Sequence, residues 1–329
     1  MTLFKYKSLS VDRNGELDEV SFRRVVEPIA ESYYFLPTRS ILNDPNEGVF
    51  KNELQAGISA FLQGVVGVGE RIEVSRSLNE LANQVSQSTE SSGVFSLSKT
   101  PIDELMWAHY ANSHFGIVIE YELEQLTRFS SKEHLNRFSV QYSEHPPRLD
   151  LTSVVGKASN TVCAMLGHKS PRWSYEEEFR ILLENTNGRT PHDFRAVKSI
   201  TFGLKVPEHI RSTIFEATKE KVSLYFEMIQ VAGTYNFERV QATRYAGQVA
   251  QKRAVHVDWK QHFTMVPAER RDALTKWAQE HLEHDPHFAE LLLAERCTQD
   301  REMAVLQYEA AHPMELPPWV KYTKEFTPV

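Results

Sequence analysis

The stretch Trp173-Ser174-Tyr175-Glu176-Glu177-Glu178-Phe179-Arg180-Ile181-Leu182-Leu183 decides how the chain is read, because from Glu176 onward charged and apolar residues alternate. A strand has a side-chain period of two, so it would set Glu176, Glu178 and Arg180 on one face and Phe179, Ile181 and Leu183 on the other. The apolar row enters a core. The polar row then stands as a wall of two carboxylates and a guanidinium at fixed spacing, on the face that need not be buried, and such a wall suits catalysis or ligand binding.

Around this strand the order of elements is irregular. Strands are expected at Leu3 to Tyr6, Tyr33 to Leu36, Val94 to Ser98, Gly116 to Tyr121, Phe138 to Tyr142, Ile200 to Phe202 and Tyr225 to Val231. Helices are expected near 153–167 and 208–221, with a loosely patterned helical region over 49–90. Thr100-Pro101-Ile102-Asp103 reads as an N-cap, a proline at the first helical position and an acid in the first turn. The helix it opens carries Trp107, His109, Tyr110 and His114 and stops at Gly116. Between Pro37 and Gly48, two prolines with Asn, Asp and Gly forbid regular structure and leave a loop that carries Asp44 and Glu47. With no βαβ rhythm and no glycine-rich phosphate loop, the expected class is α+β, with mostly antiparallel mixed sheets forming a cleft.

Beyond Tyr245 the character changes. Pro267-Ala268-Glu269 opens a helix carrying Leu274, Trp277 and Leu282, a second helix is expected over 285–311, and Pro313 to Val329 is extended. The chain therefore divides into an α+β domain, 1–245, and a helical C-terminal extension, 246–329. Leu274, Trp277, Leu282, Leu291 and Leu292 are expected to pack that extension against the main domain, a second copy or another partner.

Composition narrows the classes of function. With 329 residues, 41% hydrophobic and 25% charged, the chain reads as globular, and its net charge of -7 disfavours a surface that grips nucleic acid throughout. Cys163 and Cys297 stand alone, without a CxxC, which argues against a thiol zinc site or a disulfide scaffold and fits a reducing cytoplasm. The N-terminus lacks the apolar core of a signal peptide, and no apolar run reaches membrane-spanning length, so a cytoplasmic protein is expected.

Several short motifs occur in order: Phe4-Lys5-Tyr6, Asn43-Asp44-Pro45-Asn46-Glu47, Phe95-Ser96-Leu97-Ser98, Leu105 to Ala111 with His114-Phe115-Gly116, and Lys169-Ser170-Pro171-Arg172-Trp173 leading to Glu176, Glu178 and Arg180. Over roughly residues 3–240 this set resembles the bacterial DUF2971 family, a resemblance that implies no activity by itself. A second resemblance is to the ADP-ribosyltransferase fold, which holds NAD between two small sheets. Lys5 or Tyr6, then Ser96-Leu97-Ser98, then Glu176-Glu177-Glu178 follow that fold's order, although no Arg or His occupies the opening strand and Ser-Leu-Ser replaces Ser-Thr-Ser.

The second resemblance implies NAD as substrate and a macromolecular acceptor, protein or nucleic acid, in the manner of a toxin or anti-phage defence effector. Glu178 would stabilise the oxocarbenium-like centre left as nicotinamide departs, Glu176 would position or deprotonate the acceptor, and His109 would complete the catalytic set. Ser96 and Ser98 would bond the ribose or support the glutamate. Tyr6 and Tyr110 would contact the cofactor, and Arg180 or Lys5 its pyrophosphate. A rival reading gathers Asp44, Glu47, His109, Glu176 and Glu178 into a metal site for phosphodiester hydrolysis. A third is a non-catalytic module that binds a partner through its C-terminal helices.

Overall fold

Two units organise the chain, each built on its own run of strands: Met1–Tyr34, Trp107–Ser131 and Arg189–Val329 form the first, Phe35–Met106 and Lys132–Gly188 the second. The structure is a computed structural model that describes residues 1–53, 57, 68–130, 134–150, 158–248, 254–285, 287–296, 303–310 and 319–325.

In the first unit the strands lie in the order Phe237–Gln241, Leu224–Gln230, Val197–Phe202, Gly116–Glu122, Thr2–Ser8. Every neighbouring pair is antiparallel except Val197–Phe202 with Leu224–Gln230, whose parallel pairing uses the helix Glu208–Thr218 as its crossover. That helix buries Ile210, Ile214 and Thr218, spaced four apart, along one face. The Gly116–Glu122 strand is apolar on both faces, with Ile117, Val118, Ile119 and Tyr121 all buried. It starts at glycine because a Cβ there would collide with the Lys7 carbonyl oxygen and with Ala111.

The second unit has the antiparallel order Gly93–Ser98, Glu178–Leu183, Leu135–Ser139. Val94 and Leu182 from these strands share a core with Val85 of the helix Val68–Ser91 and with Val162 and Met165 of the helix Ala158–Met165. The α+β class and the mostly antiparallel pairing agree with the sequence reading, and the strand Tyr33–Leu36 falls where it was expected. Of the regions expected to be helical, 54–56, 58–67, 153–157, 286, 297–302 with Cys297, and 311 lie outside the described residues, as do 313–318 and 326–329 of the segment expected to be extended.

Three expectations are corrected. The helix expected to open at Thr100 spans Glu104–Tyr110. Ser98 and Thr100 close a turn of their own, Ser98 Oγ lying 3.2 Å from both the amide and the carbonyl of Thr100, and the cap passes to Asp103, whose carboxylate accepts the Met106 amide at 2.8 Å. The helix stops at Tyr110 because Asn112, Ser113 and His114 all take positive φ, 45°, 53° and 70°. Trp107 is fully buried, edge-on to Tyr6 at 5.4 Å and stacked on His114 at 5.9 Å, and so belongs to the core.

The second correction is that the C-terminal extension is not helical throughout. The helix Ala268–Glu283 is present and buries Leu274, Ala278 and Leu282, but Phe288–Arg296 and Met303–Ala310 are antiparallel strands, joined by Trp319–Glu325 as a third. Leu, Ala and Glu gave Phe288–Arg296 a helical local preference. The alternation of buried Ala304, Leu306 and Tyr308 supplies an apolar sheet face, and packing overrides propensity. Leu292, expected to pack, is 40% exposed.

The third correction concerns the boundary at 245. Phe129 shares one core with Phe263, Leu282, Phe288 and Leu306. Buried imidazoles strengthen the union: His281 meets the Phe129 ring edge-on at 5.3 Å, His284 stacks on Phe194 at 5.7 Å, and His287 Nε2 lies 3.2 Å from the Ser32 carbonyl. Residues 246–329 are thus part of the first unit, whose core they complete.

A chain ended after Tyr245 should consequently lose cooperative folding, since Phe129 and Phe194 forfeit their apolar partners; a soluble product with a sharp calorimetric transition would contradict this. The unit should also be acid-sensitive. Burial, assisted by the neighbouring His287 and opposed by Asp193, pushes the His192 imidazole down to about 4. Its folded value lies below the unfolded one of about 6.5, so its contribution to stability is complete above that pH and is lost as pH falls toward about 4. Melting temperature should drop across this window in the wild type and more shallowly in His192→Gln.

Candidate functional site

Arg180 stands at the centre of the second unit's polar face, 1% exposed, and it needs acceptors because a guanidinium keeps its proton. Two strand positions away, Glu178 shares its face and takes a bidentate pair: Nε to Oε1 at 2.7 Å and Nη2 to Oε2 at 3.0 Å. Nη1 donates to Glu47 and to the Leu166 carbonyl. Lys169 completes the cluster, its ammonium 2.7 Å from both the Glu176 and the Glu178 carboxylates, 3.9 Å from Glu47, and 5.7 Å from the centre of the Trp173 ring.

Local structure explains how these groups meet. Ser170 accepts the Arg172 amide and Pro171 opens a 3₁₀ helix, Pro171–Glu176, that ends where Glu177 turns left-handed at φ 42°. Glu176 therefore ends a helix and does not lie on the strand, which begins at Glu178; the alternation Glu176, Glu178, Arg180 was not a single strand face. The Glu178 amide donates to the Tyr142 hydroxyl at 2.9 Å. On the other side, Asp44 accepts the Asn46 amide at 2.9 Å in a tight turn, and Arg39 donates from Nε to the Glu47 carbonyl at 2.8 Å and from Nη1 to Glu90 at 2.6 Å. Gly48, at φ 68°, lets the Arg39 side chain lie where a Cβ would stand. This loop delivers Glu47 to Arg180.

Both faces of Glu178–Leu183 are buried, contrary to the expectation of an open polar wall. Charge satisfied by charge can be enclosed as well as an apolar row can. Burial alone would push the Glu178 carboxyl up, but the Arg180 guanidinium and the Lys169 ammonium outweigh it and hold the acid well below the usual carboxylate range. The same carboxylate keeps Lys169 protonated against the pull of burial. Tyr142, half-buried beside Glu178, is pushed up to about 12 by burial and by that carboxylate's charge.

The register brings part of the sequence-derived set together: Ser98 lies opposite Glu178 and Ser96 opposite Arg180, so all four share one face. Ser98 is buried and committed to the Thr100 turn, and Ser96 is half-buried. Lys5, Tyr6, His109 and Tyr110 belong to the first unit. There Lys5 is half-buried on Thr2–Ser8, Tyr6 packs on Trp107, His109 is exposed, and the Tyr110 carbonyl accepts the Ser8 hydroxyl at 3.0 Å. Sequence reasoning overlooked Lys169 as a site residue. Its signal was the requirement that a wall of carboxylates be neutralised. Glu47 entered only as a possible metal ligand, whereas its carboxylate serves Arg180. Among the described residues no group of three or more His, Cys, Asp or Glu side chains is placed to hold a metal ion.

Beside Lys169 opens a small cleft of about 180 Å³, lined by Asp44, Asn46, Ser143, His168 and Ser170. Its size suits one ring or sugar, being below the range of about 300–1,000 Å³ usual for whole small-molecule sites. What the arrangement offers chemically is an ionised, immobile carboxylate with hydroxyls beside it on the same sheet face, and an ammonium that links it to a cleft.

Residues 106–181 match the family described as protein of unknown function (DUF2971). The match includes the Trp107 to Gly116 motif and the cluster from Lys169 to Arg180, and is shorter than the 3–240 expected from motif order; Glu47, Ser96 and Ser98 fall outside it. No curated protein and no solved structure matches the chain.

Removing the Glu178 charge should destabilise the fold, because Arg180 would be left buried without its bidentate partner. Glu178→Gln is expected to cost about 3–5 kcal/mol in urea unfolding. A loss below about 1 kcal/mol, the level of an exposed pair, would show that the cluster is open to solvent.

Proposed function

We propose that the chain is an NAD-consuming enzyme of the ADP-ribosyltransferase kind, acting on a macromolecular acceptor, with the second unit carrying its reacting carboxylate. The observation that supports this reading is the pairing of Ser96-Leu97-Ser98 against Glu178-Phe179-Arg180, which sets two hydroxyls beside an ionised glutamate on one sheet face. When the bond from ribose to nicotinamide breaks, its electron pair leaves with the nicotinamide nitrogen and positive charge develops on the sugar. A carboxylate that is already ionised and cannot rotate stabilises that charge without reorganising, and more strongly in a site poor in water.

Such a carboxylate is a poor general base, since its proton affinity has been lowered. Glu178 is accordingly assigned electrostatic stabilisation. Glu176, tied to the same ammonium, positions the acceptor nucleophile, whose proton leaves to water. The cleft beside Lys169 takes one ring or sugar of the dinucleotide.

The decisive measurement is nicotinamide release, followed by mass spectrometry, from NAD mixed with the full chain and candidate protein, DNA and RNA acceptors. Wild type should release nicotinamide, and Glu176→Gln, checked for folding by circular dichroism, should be slower by about 100-fold. Absence of release with every acceptor, or undiminished release from folded Glu176→Gln and Glu178→Gln, would overturn the assignment.

A further inference from the structure

The cleft beside Lys169 is lined by a carboxylate that the fold leaves without a cation. Asp44 is 6% exposed, and among the described residues no lysine, arginine or histidine pairs with it. Its Oδ1 accepts the Asn46 amide at 2.9 Å, and Oδ2 takes no hydrogen bond from any described residue. Buried carboxylates are ordinarily paired, and a single N–H bond does not repay the loss of water. We propose that this cleft binds a small organic cation the size of a single ring, with Asp44 as its charge partner. The site stands without the NAD reading; where that reading holds, the pyridinium ring of the dinucleotide is the part that fits it.

Lys169 does not already fill this role. Its ammonium lies 2.7 Å from the Glu176 and from the Glu178 carboxylates, so its charge is answered within the Arg180 cluster. A metal ion would need several oxygen or nitrogen ligands, and among the described residues no three His, Cys, Asp or Glu side chains gather to supply them. An organic cation needs less, one carboxylate and apolar surface for its flat faces. Val49, Pro146 and Pro147 provide that surface. The Nδ1 of His168, another lining residue, lies 2.7 Å from the Ala164 carbonyl, which can only accept, so in the neutral ring Nδ1 carries the hydrogen and Nε2 is an acceptor. Acceptors on the wall favour a cation that also carries N–H groups, as a carboxamide does.

Backbone pairing holds the walls of the cleft in place before any ligand arrives. The Lys51 amide donates to the Pro147 carbonyl at 2.8 Å, and the parallel pairing of Lys51–Asn52 with Arg148–Leu149 extends this link between the Asp44 loop and the proline wall. The Ser143 amide donates to the Lys169 carbonyl at 3.0 Å and the Ser143 hydroxyl to the His145 carbonyl at 2.6 Å, which fastens the proline wall to the His168 side. A site preset in this way loses little freedom on binding.

Calorimetric titration of the full chain with 1-methylnicotinamide, a cation, and with nicotinamide, a neutral ring of nearly the same shape, tests the site. Wild type should bind the cation saturably and about tenfold or more tighter than the neutral ring. Asp44→Asn keeps an oxygen for the Asn46 amide and removes the charge, so it should bring the two probes to nearly equal affinity. Val49→Arg, at an exposed lining position, places a competing guanidinium at the cleft and should abolish binding of the cation; it decides the matter if Asp44→Asn does not fold. Glu144→Gln, which alters an exposed acid of the rim, should leave the preference unchanged. The proposal is overturned if wild type binds the cation no better than the neutral ring, if folded Asp44→Asn retains the preference, if Val49→Arg binds the cation as wild type does, or if Glu144→Gln lowers the preference equally, which would mark a diffuse acidic surface. Nicotinamide release from NAD by a protein that does not prefer the cation would remove this site and leave the catalytic reading standing, and preference for the cation without release would do the reverse.

Discussion

A guanidinium that is 1% exposed sets the terms for the second unit. Taking it out of water costs several kcal/mol even after relaxation, and no shift of its pKa can relieve the cost by neutralising it. Four of its N–H bonds are met by Glu178, Glu47 and the Leu166 carbonyl, and each partner imposes a local shape. Glu47 must be carried in by a loop, which explains the Asp44 turn, the Arg39 brace and the left-handed Gly48. Leu166, just past the helix Ala158–Met165, must turn its carbonyl to the guanidinium. Lys169 must then balance the surplus carboxylate that Glu176 adds.

The apolar half of this design was legible, because a period-two row such as Phe179, Ile181 and Leu183 has one physical meaning whatever surrounds it. The polar half was not. The Glu178–Arg180 pair is local, but the other acid on Arg180, Glu47, lies 133 residues away in sequence, and no local pattern reports a partner at that distance. Glu176 was misplaced because a single left-handed residue, Glu177, breaks the strand, and a glutamate gives no warning of positive φ as glycine would. At Phe288–Arg296 the fault was of another kind. Good helix formers there obey a neighbouring strand whose alternation, Ala304, Leu306 and Tyr308, was the stronger signal.

Matched charge limits what the second unit can do. In the second unit both cations of the cluster, Arg180 and Lys169, have their acids, so the arrangement is rigid and its carboxylate stays ionised; it can act on a reacting centre only through its field, which confines it to chemistry that develops positive charge. Stability alone does not explain why such charge is enclosed, since an apolar row would fill the same space at less cost, and a buried charge kept at a cost is where function is to be sought.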